Sequence, residues 1–233
     1  MPNATQPDFP EAVVFDFDGT LADSYEAITA SVNHVRGLYH MQPLKVSQVR
    51  PCVGRGAGYL LAHTLPGLDP TKALAEYKAH HPSVLRSGTR LLPGVAATLA
   101  ELSSSGFKLG VCSNKPKPFT STLLDILDIA RFFKAVIGPE DAPKPKPAPD
   151  MLIAALDALG VSAARALYVG DMTVDIETAR AAGARVWVIA TGSDGHEALA
   201  AAHPDRLLGN FRELAGLVRG EWKGVRDQGS ASP

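Results

Sequence analysis

The spacing of apolar residues is mostly helical before residue 90, and after it strand-like and helix-like runs alternate. Residues 12–15 are an apolar run that ends in acidic residues and glycine, which predicts a buried strand followed by a loop. After residue 93, strand-like and helix-like apolar runs alternate, which predicts an α/β core with a Rossmann-like parallel sheet in three layers. The predicted elements of this part are strands at 108–112, 135–137, 166–169 and 185–189, and helices at 95–102, 119–127, 150–159 and 174–182.

The segment between these two parts has a helical pattern. Apolar residues recur at helical spacing from Tyr25 through Ile28 to Val32 and beyond, as on the buried face of an amphipathic helix. Further helices are expected at 58–63 and 71–85, and no strong strand signal interrupts the segment. The pattern therefore predicts an all-helical insert.

The length of the chain suits a core with one large insertion. A chain of 233 residues is long for one small domain and short for two full ones. We expect a core domain made of residues 1–23 and 90–220, and a helical cap domain at 24–89. Polar residues with glycine and serine at 221–233 predict a flexible tail.

Composition and charge limit the kinds of molecule that this protein is expected to bind. Hydrophobic residues make up 45% and charged residues 20% of the chain, and the net charge is −1, so neither nucleic acid nor an anionic membrane is an expected partner. No apolar run is long enough to span a bilayer, and no signal peptide is visible. The two cysteines, Cys52 and Cys112, favour free thiols in a reducing cytosol. We therefore expect a cytoplasmic monomer or homodimer that acts on a small molecule.

Polar side chains follow the predicted strands at the points where the strands end, and Lys146 precedes the predicted helix at 150–159. Ligands of open parallel sheets bind outside the carboxyl ends of the strands, so these side chains are expected to meet in one crevice. They are four acids, one lysine, a hydroxyl and an amide, namely Asp16, Asp18, Ser113, Asn114, Lys146, Asp171 and Asp175.

This set of residues suits phosphoryl transfer. Mg²⁺ prefers oxygen ligands such as carboxylates and water, and it offsets the repulsion between a phosphate dianion and a carboxylate nucleophile. Lys146 adds positive charge beside the transferring group, and Ser113 can donate to its oxygens. A nucleophilic Asp16 splits hydrolysis into two steps through an aspartyl-phosphate. Asp18, two residues on, can protonate the leaving oxygen and later deprotonate water.

Four segments resemble, in order, the four motifs of the haloacid dehalogenase superfamily. Asp-Phe-Asp-Gly-Thr-Leu-Ala-Asp-Ser at 16–24 resembles the first motif, and Val-Cys-Ser-Asn-Lys at 111–115 the second. Lys-Pro-Ala-Pro-Asp at 146–150 resembles the third, and Val-Gly-Asp-Met-Thr-Val-Asp at 169–175 the fourth. Each motif alone is a weak to moderate signal, whereas four in the family's order are a strong one.

The resemblance implies a role for the first two acids of the first motif. Asp16 would be the nucleophile and a metal ligand. Asp18 would be the general acid and base, and its backbone carbonyl would also bind the metal. Dehalogenases of the superfamily lack a carboxylate at the second position, so the presence of Asp18 favours phosphate chemistry.

The other three motifs would bind the phosphoryl group and the metal. By resemblance, Ser113 and Asn114 hold the phosphoryl group, and Lys146 pairs with both the phosphate and the nucleophile. Asp171 would ligate Mg²⁺, and Asp175 would support the metal directly or through water.

The insert at 24–89 resembles the helical cap of the family. Residues 53–57, Val-Gly-Arg-Gly-Ala, are similar to a glycine-bearing cap segment of phosphoglycolate-type phosphatases. In that interpretation the segment faces the active site and helps to select the leaving group. Arg55 would then meet the carboxylate of a small acid such as 2-phosphoglycolate.

Several alternatives stay open from sequence alone. A β-phosphoglucomutase-like mutase, or a phosphatase for a sugar phosphate, a nucleotide or pyrophosphate, would share every core residue. A phosphate- or metal-sensing protein on the same fold is the non-enzymatic alternative. Lys144 also fits the Lys-Pro-x-Pro pattern of the third motif. We prefer Lys146 because an acid that can begin a helix, Asp150, follows its second proline.

Overall fold

Strands and helices alternate through most of the computed structural model, which describes residues 10–218 and 220. The strands of this part are β1 (Ala12–Phe15), β2 (Ala22–Asp23), β3 (Arg90–Leu91), β4 (Lys108–Cys112), β5 (Phe133–Ile137), β6 (Ala166–Gly170), β7 (Arg185–Ile189) and β8 (Arg206–Leu208). The helices are α1 (Tyr25–Leu38), α2 (Val46–Val49), α3 (Ala57–Thr64), α4 (Pro70–His80), α5 (Val95–Ser104), α6 (Lys117–Ile126), α7 (Asp150–Leu159), α8 (Thr173–Ala182) and α9 (His196–Ala201), and residues 213–218 are also helical. The predicted tail at 221–233 lies outside the described residues.

Six strands form one parallel sheet in the order β5-β4-β1-β6-β7-β8. The central strand β1 pairs on one side with β4 and on the other with β6, so that Ala12 lies level with both Lys108 and Ala166. The predicted α/β class with a Rossmann-like parallel sheet is confirmed. The sheet also places the carboxyl ends of three neighbouring strands, β4, β1 and β6, at one edge.

The two faces of the sheet bury two separate apolar clusters. Successive side chains of a strand point to opposite faces, and β1 shows this directly. Val13 and Phe15 pack in one cluster with the helix at 213–218, whereas Ala12 and Val14 pack in the other with helices α7 and α8. Every residue of β1 is fully buried, as expected for a central strand covered on both faces.

Residues 24–89 contain helices and short 3₁₀ turns and no strand. Asp69 caps α4 by accepting a hydrogen bond from the backbone N–H of Lys72 at 2.8 Å, and proline stands at the first helical position. The helix predicted at 71–85 was too long at its end. Helix α4 stops at His80, because Pro82 has no N–H to donate and its ring crowds the preceding turn.

Three further elements carry too little pattern to be predicted from sequence. Strands β2 and β3 pair antiparallel where the chain leaves and re-enters the core, and each has only two residues. The edge strand β8 has three residues.

Cys52 and Cys112 are unpaired, as expected. No helix in the described part of the chain is long and apolar enough to cross a membrane.

Candidate active site

The predicted site residues lie at the carboxyl edge of the sheet. Asp16 follows β1, Ser113 follows β4 and Asp171 follows β6. Because β1 lies between β4 and β6, the three side chains are neighbours: Ser113 hydrogen-bonds the Asp16 carboxyl group, and the charge of Asp16 acts on Asp171. All three are almost completely buried.

Three buried carboxylates form a cluster at this edge. One oxygen from each of Asp16, Asp171 and Asp175 lies within 4.8 Å of the others. Thr20 donates to Asp171 Oδ1 at 2.6 Å, whereas Asp171 Oδ2 is buried with no hydrogen-bond partner among the described residues. Burial, together with the charges of Asp16 and Asp175, raises the pKa of Asp171 well above its ordinary value. An unsatisfied buried oxygen in a cluster of acids fits a divalent cation bound by oxygen ligands.

Lys146 offsets part of this negative charge. Its Nζ lies 2.6 Å from Asp175 Oδ1 and 3.1 Å from Asp16 Oδ1, and it donates to the hydroxyl of Tyr168 at 2.9 Å. Burial alone would lower the pKa of Lys146, but Asp16 and Asp175 together raise it, so the side chain is a fixed cation. Lys144 is exposed, and the structure therefore brings only Lys146 of the two lysines to the carboxylates.

Asp175 also holds the start of α8. Its Oδ2 accepts hydrogen bonds from the backbone N–H groups of Asp171 and Met172 at 3.1 and 3.0 Å. One oxygen thus fixes the loop that carries Asp171, and the other binds Lys146. Asp175 therefore positions both the acid and the lysine of the cluster.

The environment of Asp16 disfavours its charged form when no cation is bound. Burial raises the pKa of Asp16 from 3.8 to about 6. Lys146 opposes this increase, Asp175 adds to it, and hydrogen bonds from Ser113 and the backbone of Phe17 oppose it. A cation beside Asp16 would reverse the balance, because a nearby positive charge favours the carboxylate.

Asp18 pairs with a lysine that the sequence interpretation did not single out. Lys115 Nζ lies 3.2 Å from both carboxylate oxygens of Asp18, and Ser24 donates a hydrogen bond to one of them. The side chains of Lys115 and Asp18 are 4% and 9% exposed, so the pair is shielded from solvent. Proximity to Ser113 in the second motif was the available signal for Lys115.

The side chain of Asn114 ties two loops together. Its Nδ2 donates to the backbone oxygens of Gly54 at 3.0 Å and Lys146 at 3.1 Å, and its Oδ1 accepts from the N–H of Lys146 at 3.0 Å. Both amide hydrogens are therefore used within the protein, and the predicted contact of Asn114 with a phosphoryl group stays a prediction. Gly54 has φ +102°, and a Cβ there would collide with Met172, so close approach of the loops requires glycine.

Arg55 lies outside the cavity beside these residues. Its side chain is exposed, and its guanidinium carbon lies 5.7 Å from the ring centre of Tyr59. The neighbouring Gly54 and Gly56 do line the cavity. The structure thus brings the backbone of this segment to the site and does not bring the Arg55 side chain with it.

A small cavity connects the carboxylates with the helical insert. Its volume is about 40 Å³, and it has lining residues from both parts of the chain. The core contributes Asp16, Asp18 and Lys115, and the insert contributes Tyr77 and His81. His81 is the second functional candidate that sequence patterns missed, because it lies in a short 3₁₀ turn after α4 with no recognisable motif.

Comparison with known proteins gives one consistent result. The profile of the haloacid dehalogenase-like hydrolases matches residues 13–189. Phosphoglycolate phosphatase from Rhodospirillum rubrum is 35% identical over 231 residues, covering 94% of this chain and 93% of the relative. Phosphoglycolate phosphatase from Salmonella choleraesuis is 32% identical over 226 residues, covering 87% and 90%.

A solved structure agrees with these relatives. The crystal structure described as a predicted phosphoglycolate phosphatase from Haemophilus somnus superposes with a TM-score of 0.84 at 25% identity, covering 89% of this chain and 97% of the other. Fold, motifs and buried carboxylates therefore agree with the sequence comparisons. The chain belongs to the haloacid dehalogenase-like hydrolase family and is a phosphatase of that family.

Proposed function

We propose that this phosphatase hydrolyses 2-phosphoglycolate with the help of Mg²⁺, through a phosphoryl group carried on Asp16. The relatives named phosphoglycolate phosphatase support the choice of substrate. The observation that carries the proposal is the small cavity, of about 40 Å³, onto which Asp16 and Asp18 open. Since one water needs roughly 10–15 Å³ by the same kind of measure, the cavity suits a leaving group of a few heavy atoms.

Asp16, Asp171 and Asp175 would hold the Mg²⁺, with the backbone carbonyl of Asp18. With all three carboxylates ionised, the single cation of Lys146 would leave two negative charges in the cluster, which matches a divalent ion. When bound, Mg²⁺ would neutralise charge on the phosphoryl group and favour the ionised form of Asp16.

The reaction begins with attack by the carboxylate of Asp16 on phosphorus. The bond between phosphorus and the leaving oxygen breaks, and Asp18 donates a proton to that oxygen, so that glycolate departs. Lys146 and the Ser113 hydroxyl stabilise the charge on the phosphoryl oxygens. Lys146 already lies 3.1 Å from Asp16 Oδ1 and so needs little rearrangement.

Hydrolysis of the aspartyl-phosphate completes the cycle. Asp18, now ionised, removes a proton from a water molecule as that water attacks phosphorus. The bond to Asp16 breaks, inorganic phosphate leaves, and both acids return to their starting forms. We further propose that residues 24–89 act as a cap over this step, since Tyr77 and His81 line the cavity and would exclude bulk water.

Phosphate release from a panel of metabolites tests the proposal. With Mg²⁺ present, we expect kcat/KM for 2-phosphoglycolate to exceed that for hexose phosphates, nucleotides and pyrophosphate by about tenfold or more, because a larger leaving group would have to displace the insert residues that line the cavity. Addition of EDTA is the control and should remove the activity. A preference for a sugar phosphate, or conversion of a sugar phosphate into its isomer, would contradict the proposed substrate.

Thermal unfolding tests the metal site without relying on activity. Mg²⁺ at about one hundred times its Kd should stabilise the wild-type protein by about 2.7 kcal/mol, and Asp171→Asn should lose this stabilisation. Asp157→Asn on the exposed face of α7 removes the same charge and should respond to Mg²⁺ like wild type. An unchanged response of Asp171→Asn would place the metal elsewhere.

A further inference from the structure

The cavity has a positive charge on the side of the leaving group. Lys115 lines it directly beside Asp18, with Nζ 3.2 Å from each carboxylate oxygen. Among the described residues that line the cavity, Lys115 is the one that carries a positive charge. Much of the remaining wall is apolar and includes Ile28, Leu60 and Phe119. A neutral leaving group with several hydroxyls would find few partners there.

His81 gives the same cavity an unused polar atom. The residue is fully buried, its Nδ1 lies 2.9 Å from the Ser31 hydroxyl, and its ring stacks on Tyr77 with centroids 4.9 Å apart. Phe119 packs perpendicular to the ring, also at 4.9 Å. Nε2 is buried with no hydrogen-bond partner in the described part of the chain. Nε2 is the ring nitrogen without a partner, and His81 lines the cavity, so a carboxylate bound there would reach Nε2 after a small shift of the packed side chains.

The contacts of Ser31 are compatible with a proton on Nε2. The Ser31 hydroxyl lies between His81 Nδ1 at 2.9 Å and His80 Nδ1 at 3.2 Å. It has one proton to donate, and donation over the shorter distance leaves His81 with its hydrogen on Nε2. Burial and the charge of Lys115 lower the pKa of His81 to about 2, so the ring is neutral and acts as a hydrogen-bond donor through this tautomer.

We propose that Lys115 and the Nε2–H of His81 bind the carboxylate of the leaving group and so select 2-phosphoglycolate over neutral phosphate monoesters. The inference rests on the proposed function and deepens it. In 2-phosphoglycolate one methylene separates the leaving oxygen from the carboxylate. A cation in contact with Asp18, the donor to the leaving oxygen, is therefore within reach of that carboxylate. Arg55, the residue favoured by sequence resemblance, does not line the cavity.

The ratio of kcat/KM for two substrates separates recognition of the carboxylate from general effects on catalysis. Ethyl phosphate has a methyl group where 2-phosphoglycolate has its carboxylate, so the ratio of the two kcat/KM values reports recognition of the carboxylate. Lys115→Met should lower the ratio by about 30-fold or more, and His81→Leu by about tenfold, as for hydrogen bonds to a charged group. His81→Gln, which keeps a donor near Nε2, should recover part of the loss.

Control variants distinguish carboxylate binding by Lys115 and His81 from a general charge effect and from binding by Arg55. Lys117→Met removes the same charge two residues away, where Lys117 pairs with Asp141 outside the cavity, and should keep the wild-type ratio. If Lys115→Met is too slow to assay, the Kd values of both phosphates in an Asp16→Asn background give the same comparison. An unchanged ratio or unchanged relative Kd in Lys115→Met and His81→Leu overturns the inference, and a loss in Arg55→Met alone would assign the carboxylate to Arg55.

The experiment also distinguishes this inference from the proposed function. Wild-type hydrolysis of both substrates at equal kcat/KM would refute carboxylate recognition and leave the phosphatase chemistry intact. Absence of hydrolysis of either substrate with Mg²⁺ would refute the proposed function, and the inference with it. A wild-type preference for 2-phosphoglycolate that decreases in Lys115→Met and in His81→Leu supports the proposed function and the inference.

Discussion

Asp16→Asn is expected to lower kcat for phosphate release on the order of 10⁴-fold or more, with the fold intact. The reason is chemical, since an amide cannot form the aspartyl-phosphate and loss of a covalent nucleophile leaves only binding and electrostatic effects. The amide keeps the size of the carboxyl group, so the packing around β1 is preserved. Measurement of kcat with 2-phosphoglycolate at saturating Mg²⁺ tests the expectation.

The same substitution should change the pH dependence of stability in a predictable direction. Burial raises the pKa of Asp16 from 3.8 to about 6, so the folded metal-free protein binds a proton more tightly than the unfolded chain. Ionisation therefore costs stability as pH rises from about 4 to about 6, by up to roughly 3 kcal/mol at about 1.4 kcal/mol per pKa unit. Urea unfolding with EDTA at pH 4 and 7 should show this loss in wild type and a smaller one in Asp16→Asn.

Asp157→Asn is the control for both measurements, because its side chain is exposed on α7 and should change neither. Wild-type turnover in Asp16→Asn would eliminate Asp16 as the nucleophile. An identical pH dependence in the two proteins would show that the Asp16 carboxyl group is not the one disfavoured by burial.

Much of the core was predictable because its strands and helices carry local patterns. Strands β4 and β7 and helices α1 and α7 have the bounds or the start that the apolar pattern indicated. The acids after β1 and β6 could be placed at one edge because parallel strands share their direction. The two-residue strands β2 and β3 hold no periodicity, and Pro82 outweighed the apolar pattern that extended α4.

The contacts that tune the site depend on residues far apart in sequence. Lys115 meets Asp18 across 97 positions, and Ser31 meets His81 across 50. Tyr168 in β6 is packed in an apolar cluster, yet its hydroxyl accepts from Lys146 and donates to the backbone oxygen of Cys112 at 2.8 Å. No spacing rule links such pairs before the fold is known.

The insert and the proposed metal site are connected through a loop that sequence alone did not indicate. Arg50 in the insert donates to the backbone oxygens of Thr191 and Gly192 at 2.7 and 3.1 Å, and lies over the Tyr25 ring. Gly192 in turn packs so closely on Asp171 that a Cβ would collide with its carboxylate. The position of the insert is thus mechanically joined to a proposed metal ligand.

Lys146→Met is expected to have the largest combined effect on activity and stability. The buried ammonium contacts both Asp16 and Asp175, and its removal leaves two buried carboxylates without their counterion. Removing one partner of a buried ion pair lowers the free energy of unfolding by about 3–5 kcal/mol. Loss of a charge that stabilises the transferring phosphoryl group lowers kcat by roughly 10²–10³-fold. Urea unfolding with EDTA and phosphate release with Mg²⁺ measure the two effects.

The pH dependence of the stability loss and a control substitution at a neighbouring lysine test the Lys146 prediction further. Lys146 lowers the pKa of Asp16, so without it the Asp16 carboxyl group ionises less readily, and the loss of stability should be smaller at pH 5, where protonation removes the uncompensated charge, than at pH 8. Lys144→Met removes the same charge from an exposed side chain two residues earlier and should preserve both kcat and stability. Equal effects of the two substitutions would mean that bulk charge in this loop, rather than the buried contacts of Lys146, supports the site.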